Sequence, residues 1–187
     1  MSIQGCTVKS WFIIIAVLCG TPLSYAVSYN AFDVLYTGTR NDFSGRVGYT
    51  FRAEQTFDIH ALGRSVNTAA NGGVLQAAHT IELFEVSTQN LMATVTITSS
   101  SAKDVLGYAF EALPSPVTVN SSLEYMILSD EISDDGDPWL DSAAISGYRD
   151  DLMTILGCQW WNSHAGNPMP DPYYTFCSNN AYVPPTF

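Results

Sequence analysis

Hydrophobic and polar residues alternate with a period of two along most of the chain, and β-branched residues form short runs between turn-forming segments. Such alternation places every second side chain on one face of an extended strand, whereas an amphipathic helix needs an apolar residue every three to four positions. No stretch keeps the helical spacing over three turns. The pattern therefore predicts an all-β protein.

The predicted strands are separated by segments rich in Gly, Pro, Asn, Asp and Ser, which include a turn at residues 114–116. The strands are expected at residues 32–36, 47–52, 56–66, 78–86, 91–98, 106–112, 117–119, 123–129, 153–159 and 173–177. Strands of this number and spacing fit two packed antiparallel sheets. We predict an antiparallel β-sandwich that is jelly-roll-like, with an immunoglobulin-like sandwich as the alternative.

The first 26 residues have the pattern of an export signal. Lys9 gives a positive start, residues 11–20 (WFIIIAVLCG) are apolar, and Ser24-Tyr25-Ala26 has small residues at the −3 and −1 positions of a cleavage site. A membrane anchor would need about 20 apolar residues. We therefore predict a signal peptide at 1–26, a secreted, extracellular protein, and a single domain at 27–187 with no membrane span in the mature chain.

The net charge of the predicted mature chain bears on its possible partners. Without residues 1–26 the chain has 6 basic and 18 acidic residues, a net charge of −12, which argues against nucleic acid and anionic membranes as partners.

Cys158 and Cys177 would be the remaining cysteines of the mature chain. Since exported proteins fold under oxidising conditions, we predict a disulfide between them that ties down the C-terminal tail. This position in the C-terminal third does not match the inter-sheet bridge of an immunoglobulin domain.

The order of motifs across residues 45–130 resembles that of a small secreted β-sandwich domain of unknown function common in bacterial exported, PEP-CTERM-associated proteins. The matching residues are Gly48 and Phe51, Ala61-Leu62-Gly63, His79-Thr80-Ile81, Leu91-Met92-Ala93, Pro116-Val117 and Tyr125-Met126-Ile127. The cysteine pair is not part of that family's pattern. Because the family has no established activity, the resemblance implies a fold and an exported location and does not imply a function.

The segment 130–141 is strongly acidic and contains the turn formers Gly136 and Pro138. Carboxylates crowded on a turn are ligands that Ca²⁺ prefers, although the spacing is not that of an EF-hand. Two interpretations stay open, a solvated acidic turn and a structural Ca²⁺ site. The residues of the calcium site would be Asp134, Asp135, Asp137 and Asp141.

The sequence has no strong catalytic motif. His60, His79 and His164 lack metal-site spacing, and His79 shares the strand phase of Ile81, which favours a satisfied, partly buried histidine. No G-x-S-x-G motif is present. A glycosidase would need two carboxylates, for which Glu82 and Glu124 are the nearest candidates by strand position, but outward-facing strand carboxylates are the simpler interpretation of both.

Aromatic residues in loops and near the tail are the remaining signal. Exposed rings stack against sugar faces, and nearby polar groups such as Asn162 bind hydroxyls. The candidate ligand-binding residues are Trp139, Trp160, Trp161, Tyr173 and Tyr174. The alternative is that Trp160 and Trp161 straddle a sheet edge, one as core and one over the disulfide.

These features predict a secreted non-catalytic binding or extracellular-matrix module with a glycan or cell-surface partner. A glycosidase-like enzyme and a structural subunit that assembles through exposed sheet edges are the alternatives. Asn120-Ser121-Ser122 is a glycosylation sequon on a predicted turn, so Asn120 is a candidate modification site.

Overall fold

The computed structural model of the protein describes residues 30–67, 71–166, 168–169, 177–178 and 180–187. Within this part of the chain strands are nearly the only regular secondary structure, and there is one short 3-10 turn at Asn71–Gly73. The strands are β1 (Gly45–Ala53), β2 (Phe57–Ser65), β3 (His79–Glu85), β4 (Asn90–Ile97), β5 (Ala102–Lys103), β6 (Tyr108–Val119), β7 (Glu124–Glu131), β8 (Leu140–Ala144), β9 (Met153–Trp161), β10 (Cys177–Ser178), β11 (Asn180–Val183) and β12 (Pro185–Thr186). The predicted all-β class is confirmed.

Two antiparallel sheets make up most of the described structure. One has six strands in the order β10-β9-β1-β7-β3-β4, and the other has four in the order β12-β2-β6-β5. β11 and β8 form a separate pair. The two larger sheets pack together, which confirms the predicted antiparallel β-sandwich.

β1 shows how the alternating sequence builds the core. Its odd-numbered side chains Tyr49, Phe51 and Ala53 lie between the two main sheets and are fully buried. Tyr49 stands opposite Ile127 of β7 and opposite Cys158 of β9. A one-residue slip of register would turn these apolar side chains to the other face, so the core fixes the pairing.

Aromatic rings connect the two sheets. Phe51 stacks on Tyr125 with ring centroids 5.6 Å apart and contacts Phe187 at 5.2 Å. Phe187 also stacks on Phe57 of the four-stranded sheet at 5.7 Å. Each aromatic pair adds about 0.5–1.5 kcal/mol beyond the burial of its area. The last residue of the chain is thus packed against both sheets.

The second face of the six-stranded sheet is covered as well. Arg46 and Glu82, which alternation assigns to this face, are nearly completely buried. A second apolar cluster on it contains Phe84, Met126, Leu128 and Met169, with Trp161 packed against it. Met169 lies in the segment after β9, so this segment covers the sheet. The polar phase of β1 is therefore buried instead of solvated.

Some predicted strand boundaries were wrong. Residues 32–36 form no strand, and only a single bridge joins Phe32 to Tyr148. The predicted turn at 114–116 lies inside β6, where residues 113–116 bulge out between the pairs Ile59–Val117 and Ala61–Ala112. Proline lacks an amide proton for the ladder, so a bulge accommodates it within a continuous strand. Residues 1–26 and 173–176 lie outside the described residues.

Candidate functional site

The β7–β8 loop, residues 132–139, holds most of the acidic segment. Asp134 (φ 61°) and Gly136 (φ 90°) have left-handed backbone conformations, which Gly adopts freely and Asp tolerates better than most residues. The amide of Asp137 donates to Asp135 Oδ1 at 2.8 Å, which closes an Asx turn. Through this turn, both Asp135 and Asp137 approach His79 of β3.

His79, Asp135 and Asp137 form what we call the acid–histidine cluster. In the part of the chain that the structure describes, they are the group of potential metal ligands whose donor atoms all lie within 4.8 Å of one another. His79 Nε2 lies 3.2 Å from Asp137 Oδ2 and 3.5 Å from Asp135 Oδ2. The side chains are 0%, 6% and 3% exposed for His79, Asp135 and Asp137, respectively, so the cluster is shielded from water.

Backbone amides fix the orientation of the Asp137 carboxylate. The amide of Gln76 donates to both of its oxygens, at 2.9 and 2.8 Å, and the amide of Ala77 donates to Oδ2 at 2.8 Å. Burial acts to raise the pKa of Asp137, but the hydrogen bonds from His79 and these amides outweigh it and lower the pKa below its usual value. Asp137 is therefore held as a carboxylate.

Asp135 is less completely satisfied. Its Oδ1 accepts the Asp137 amide, and in the amide orientation that satisfies Asn41, the Asn41 nitrogen donates to the same oxygen at 2.9 Å. Its Oδ2 is buried and has no hydrogen-bond partner. Burial is the largest cause of a raised pKa at Asp135, to which the charges of Asp137 and Glu131 also contribute. An unpaired buried carboxylate oxygen therefore points at His79.

A buried ion pair lies next to the cluster. Arg64 of β2 contacts Glu131 of β7 through Nη2 at 2.6 Å, and both side chains are at most 2% exposed. Burial acts to raise the pKa of Glu131, but the charges of Arg64 and His79 and the hydrogen bonds to Arg64 and Ser129 hold it below the usual value. Since Arg64 also donates to the Asp137 carbonyl at 2.6 Å, the pair joins the β7–β8 loop to the four-stranded sheet.

The four carboxylates of the predicted calcium site do not come together. Asp135 and Asp137 are joined by His79, while Asp141 makes two 3.0 Å contacts with Arg40 Nη1. Asp134 is exposed and accepts a hydrogen bond from its neighbour Ser133. β8 begins at Leu140, and Asp141 on this strand contacts Arg40 instead of the loop carboxylates. Calcium binding by these four residues stays a prediction.

A second candidate site is a cavity of about 480 Å³, which we call the aromatic cleft. Its lining residues are Arg40, Phe43, Val47, Trp139, Trp160, Asn162 and Tyr182. Phe43 and Trp160 meet edge to face with ring centroids 6.0 Å apart, and Trp139 and Tyr182 do so at 5.4 Å. The volume is in the range of small-molecule sites.

Arg40 separates the aromatic cleft from a polar groove of about 700 Å³. Its guanidinium carbon lies 5.3 Å from the Trp139 ring centroid and 5.8 Å from that of Phe43. Its nitrogens contact Asp42 and Asp141 at 3.0 Å. The groove is lined by Gly38, Thr39, Arg40, Asn41, Asp42, Asp134, Leu140 and Asp141. An aromatic surface and a set of hydroxyl-binding groups thus adjoin.

The predicted aromatic ligands are divided between different places. Trp160 lines the aromatic cleft and is half-buried, whereas Trp161 lies on the opposite face of β9 against the apolar cluster around Met126. Trp139 is only 1% exposed, so the expectation of an exposed ring was wrong there, because Tyr182 packs against it. Tyr173 and Tyr174 lie outside the described residues.

The backbone positions of Glu82 and Glu124 are widely spaced for a glycosidase pair. Glu82 is opposite Leu128 in the β3–β7 ladder, four residues from Glu124, so their Cα atoms are about 13 Å apart along the strands. Carboxyl groups in glycosidases are about 5–9.5 Å apart. Glu82 is also buried against Arg46 at 3.1 Å, so the expectation that it faces solvent was wrong, and Glu124 is exposed.

The positions predicted for the disulfide and for glycosylation are compatible with these modifications. Cys158 and Cys177 are directly opposite each other in the antiparallel pair of β9 and β10. Opposed residues of such a pair have Cα atoms about 4.5–5.5 Å apart, within the range that a disulfide spans. Asn120 is exposed at the turn between β6 and β7. The disulfide and the glycosylation both stay predictions.

Sequence reasoning missed His79 as a cluster member and Arg40 and Phe43 as cleft residues. His79 is 56 and 58 residues from its two acidic neighbours, and Arg40 is 99 residues from Trp139. The strand phase of His79 gave its burial but could not identify its partners. Non-local pairing of this kind leaves no spacing signal in a single sequence.

Comparison of the chain with protein-family models finds no match, and comparison with curated proteins finds none either. The resemblance to a bacterial exported β-sandwich stays a prediction. None of the helical structure in the described residues is long and apolar enough to cross a membrane.

Proposed function

We propose that the protein is a secreted, non-catalytic binding module that holds a neutral sugar residue in the aromatic cleft. The observation that carries the proposal is the cleft itself, in which the half-buried Trp160 and Phe43 adjoin a groove with carboxylates and amides. The apolar face of a sugar ring packs on an aromatic ring, while its hydroxyls need hydrogen-bonding groups at the edge. Residues 1–26, which would direct export, lie outside the described part of the chain.

The charges around the cleft favour an uncharged glycan. Asp42 and Asp141 are 78% and 54% exposed and both contact Arg40, so the single cation at this position already has carboxylate partners. A sulfated or uronic acid sugar would face these carboxylates and a strongly negative protein. A neutral hydroxyl group can donate to a carboxylate and does not meet this repulsion.

Arg40 also keeps the wall of the aromatic cleft ordered before a ligand binds. Its guanidinium is held between two carboxylates and lies near the rings of Phe43 and Trp139. Backbone hydrogen bonds between Arg40 and Trp139 at 3.2 and 3.0 Å fix the main chain as well. A wall that is already ordered loses little entropy when a ligand binds.

The experiment is a glycan array on the mature protein, followed by calorimetric titration of any glycan that binds. Trp160→Ala should weaken binding by about tenfold, the loss of one aromatic contact worth about 1.4 kcal/mol. Trp161→Ala is the matched control, because it removes an adjacent tryptophan on the other face of β9. Equal affinity of wild type and Trp160→Ala, or equal loss in both variants, contradicts the proposal, as does an array with no ligand.

The same titration separates binding from catalysis. A binding module releases the glycan unchanged, so chromogenic glycosides should show no turnover by the wild type. Turnover that Glu124→Gln abolishes, or that Glu82→Gln abolishes while the variant stays folded by urea unfolding, would replace this proposal with the glycosidase alternative.

One observation favours a second candidate function, self-assembly. β4 is an edge strand of the six-stranded sheet, contains no charged residue, and exposes Leu91 to 48%. Edge strands commonly carry charges that prevent pairing with other chains. If β4 pairs between molecules, the mass measured by light scattering should rise with concentration, and Thr94→Lys should keep the protein monomeric. A mass that does not change with concentration excludes this function.

A further inference from the structure

We propose that the acid–histidine cluster binds one divalent transition-metal ion of the zinc class through His79 Nε2, Asp135 Oδ2 and Asp137 Oδ2. This site is separate from the aromatic cleft and does not depend on the proposed function. Its three donors come from β3 and from the β7–β8 loop, so a bound ion would tie the loop to the six-stranded sheet.

The donor distances fit such an ion. Zinc takes nitrogen at about 2.0–2.1 Å and carboxylate oxygen at about 2.0–2.2 Å, so two ligands of a tetrahedron lie about 3.4 Å apart. The distances from His79 Nε2 are 3.2 Å to Asp137 Oδ2 and 3.5 Å to Asp135 Oδ2. One imidazole and two carboxylates leave a fourth position of the tetrahedron for another donor.

The hydrogen bonds around His79 point to the same conclusion. A neutral imidazole has one donor and one acceptor nitrogen, yet both nitrogens of His79 face oxygen acceptors. Nδ1 lies 3.0 Å from the Asp130 carbonyl oxygen, and Nε2 faces the carboxylates of Asp135 and Asp137. A metal on Nε2 resolves this conflict, with Nδ1 donating to the carbonyl as metal-bound histidines commonly do.

The unpaired oxygen of Asp135 is the independent sign of a missing partner. Asp135 Oδ2 is buried without a hydrogen bond on a side chain that is 6% exposed, and it faces the cluster. A buried carboxylate oxygen with no partner carries a large desolvation cost. Metal coordination supplies the partner that the protein does not.

The charges also balance around a divalent ion. Three carboxylates that are at most 6% exposed, those of Glu131, Asp135 and Asp137, adjoin one guanidinium, that of Arg64, and the imidazole of His79, which is uncharged when it binds a metal. Without an ion this group has an excess of two negative charges, which a divalent cation removes. A protonated His79 would remove only one of them.

Histidine as a ligand argues for a transition metal over calcium. Ca²⁺ takes six to eight oxygen ligands and uses carboxylates and carbonyls, whereas imidazole suits zinc and its neighbours in the first transition row. The proposed ion therefore replaces the predicted calcium site with a smaller set of ligands and a different metal.

The test measures the binding of Zn²⁺, Co²⁺ and Ca²⁺ to the mature protein after it has been refolded with a chelator and then freed of it. We expect one Zn²⁺ per chain by elemental analysis and a rise in melting temperature of about 5–10 °C at a hundredfold excess over Kd. Co²⁺ should give a visible absorption band and broaden the ring resonances of His79, leaving those of His60 and His164 sharp. Ca²⁺ should have no effect on melting.

Asp135→Asn is the variant that should lose stoichiometric Zn²⁺ and the melting shift. Asp134→Asn is its control, since Asp134 is exposed on the same loop outside the cluster and asparagine tolerates its left-handed backbone. If Asp135→Asn fails to fold, the cobalt broadening at His79 in the wild type decides the matter. No bound Zn²⁺ in the wild type, broadening at another histidine, or unchanged binding in Asp135→Asn overturns the proposal.

Discussion

The buried ion pair of Arg46 and Glu82 allows us to predict how much substitution of either residue lowers the free energy of unfolding. Arg46 Nη1 lies 3.1 Å from Glu82 Oε2, and the side chains are 1% and 2% exposed. Arg46 also donates to the carbonyl oxygens of Ser163 and Pro168 at 3.1 Å, and Glu82 Oε1 accepts the amide of Gly166 at 2.8 Å. The pair therefore attaches the segment after β9 to the six-stranded sheet.

Removal of both partners should cost about as much as removal of one. Arg46→Met leaves the Glu82 carboxylate buried without a countercharge, and Glu82→Leu leaves the guanidinium in the same position, each at a cost of about 3–5 kcal/mol. The double variant leaves no buried charge. It removes the partners of two carbonyl groups, of the Ser163 hydroxyl and of one amide, at about 1 kcal/mol each, so we expect a total near 4 kcal/mol.

Urea unfolding of the wild type, the two single variants and the double variant measures this coupling. The sum of the single losses should exceed the loss of the double variant by at least about 2 kcal/mol. Limited proteolysis should also cut the segment 162–168 faster in Arg46→Met than in the wild type. Single losses below about 1 kcal/mol, or a double loss equal to their sum, would show that the pair is not coupled and refute this reasoning.

Three further outcomes are expected. Gly48→Ala should prevent folding or destabilise by several kcal/mol in urea, because its Cβ would lie 2.0 Å from a carbonyl oxygen of the neighbouring strand, whereas Gly72→Ala, with open space but φ 65°, should cost only about 1–2 kcal/mol. Phe187→Ala should lower stability by about 3–5 kcal/mol in the same assay, since its ring packs on both sheets. Intact mass measurement after thiol labelling should find Cys158 and Cys177 unlabelled, and their reduction should cost about 3 kcal/mol; labelling of both would exclude the disulfide.

The strands that sequence could predict are those with one apolar face. β1 and β3 alternate over nine and seven residues, and their apolar phases line the core. Short strands were missed because local sequence barely favours them. β8 has five residues and forms through its pairing with β11, which is near the end of the chain.

The sequence shows which side chains of β1 are on its polar face, but it does not show what surrounds them in the folded protein. Alternation places Arg46 on the polar face of β1, and such a face of an antiparallel sheet is commonly solvated. The structure buries that face because the segment after β9 lies over it, and Arg46 then needs Glu82 as a countercharge. A tail rich in Pro, Asn and Gly has no periodic pattern, so its position over the sheet leaves no trace in the sequence.

The two candidate sites share the backbone between residues 132 and 141. This sharing explains why the sequence identified only some of the residues of each site. Asp135 and Asp137 lie on one side of this segment, and Trp139 and Asp141 lie on the other, against Arg40. Proximity in sequence suggested a single group of carboxylates, but the strand pairing at Leu140 separates them. Asn41 forms hydrogen bonds with the β7–β8 loop, and its chain neighbour Arg40 is bonded through the backbone to Trp139 in the wall of the aromatic cleft. The positions of the cluster carboxylates and of the cleft wall therefore both depend on the peptide units at residues 40 and 41. If both proposals are correct, a ligand that fixes one site should stabilise the wall of the other, and by linkage the effect should be reciprocal.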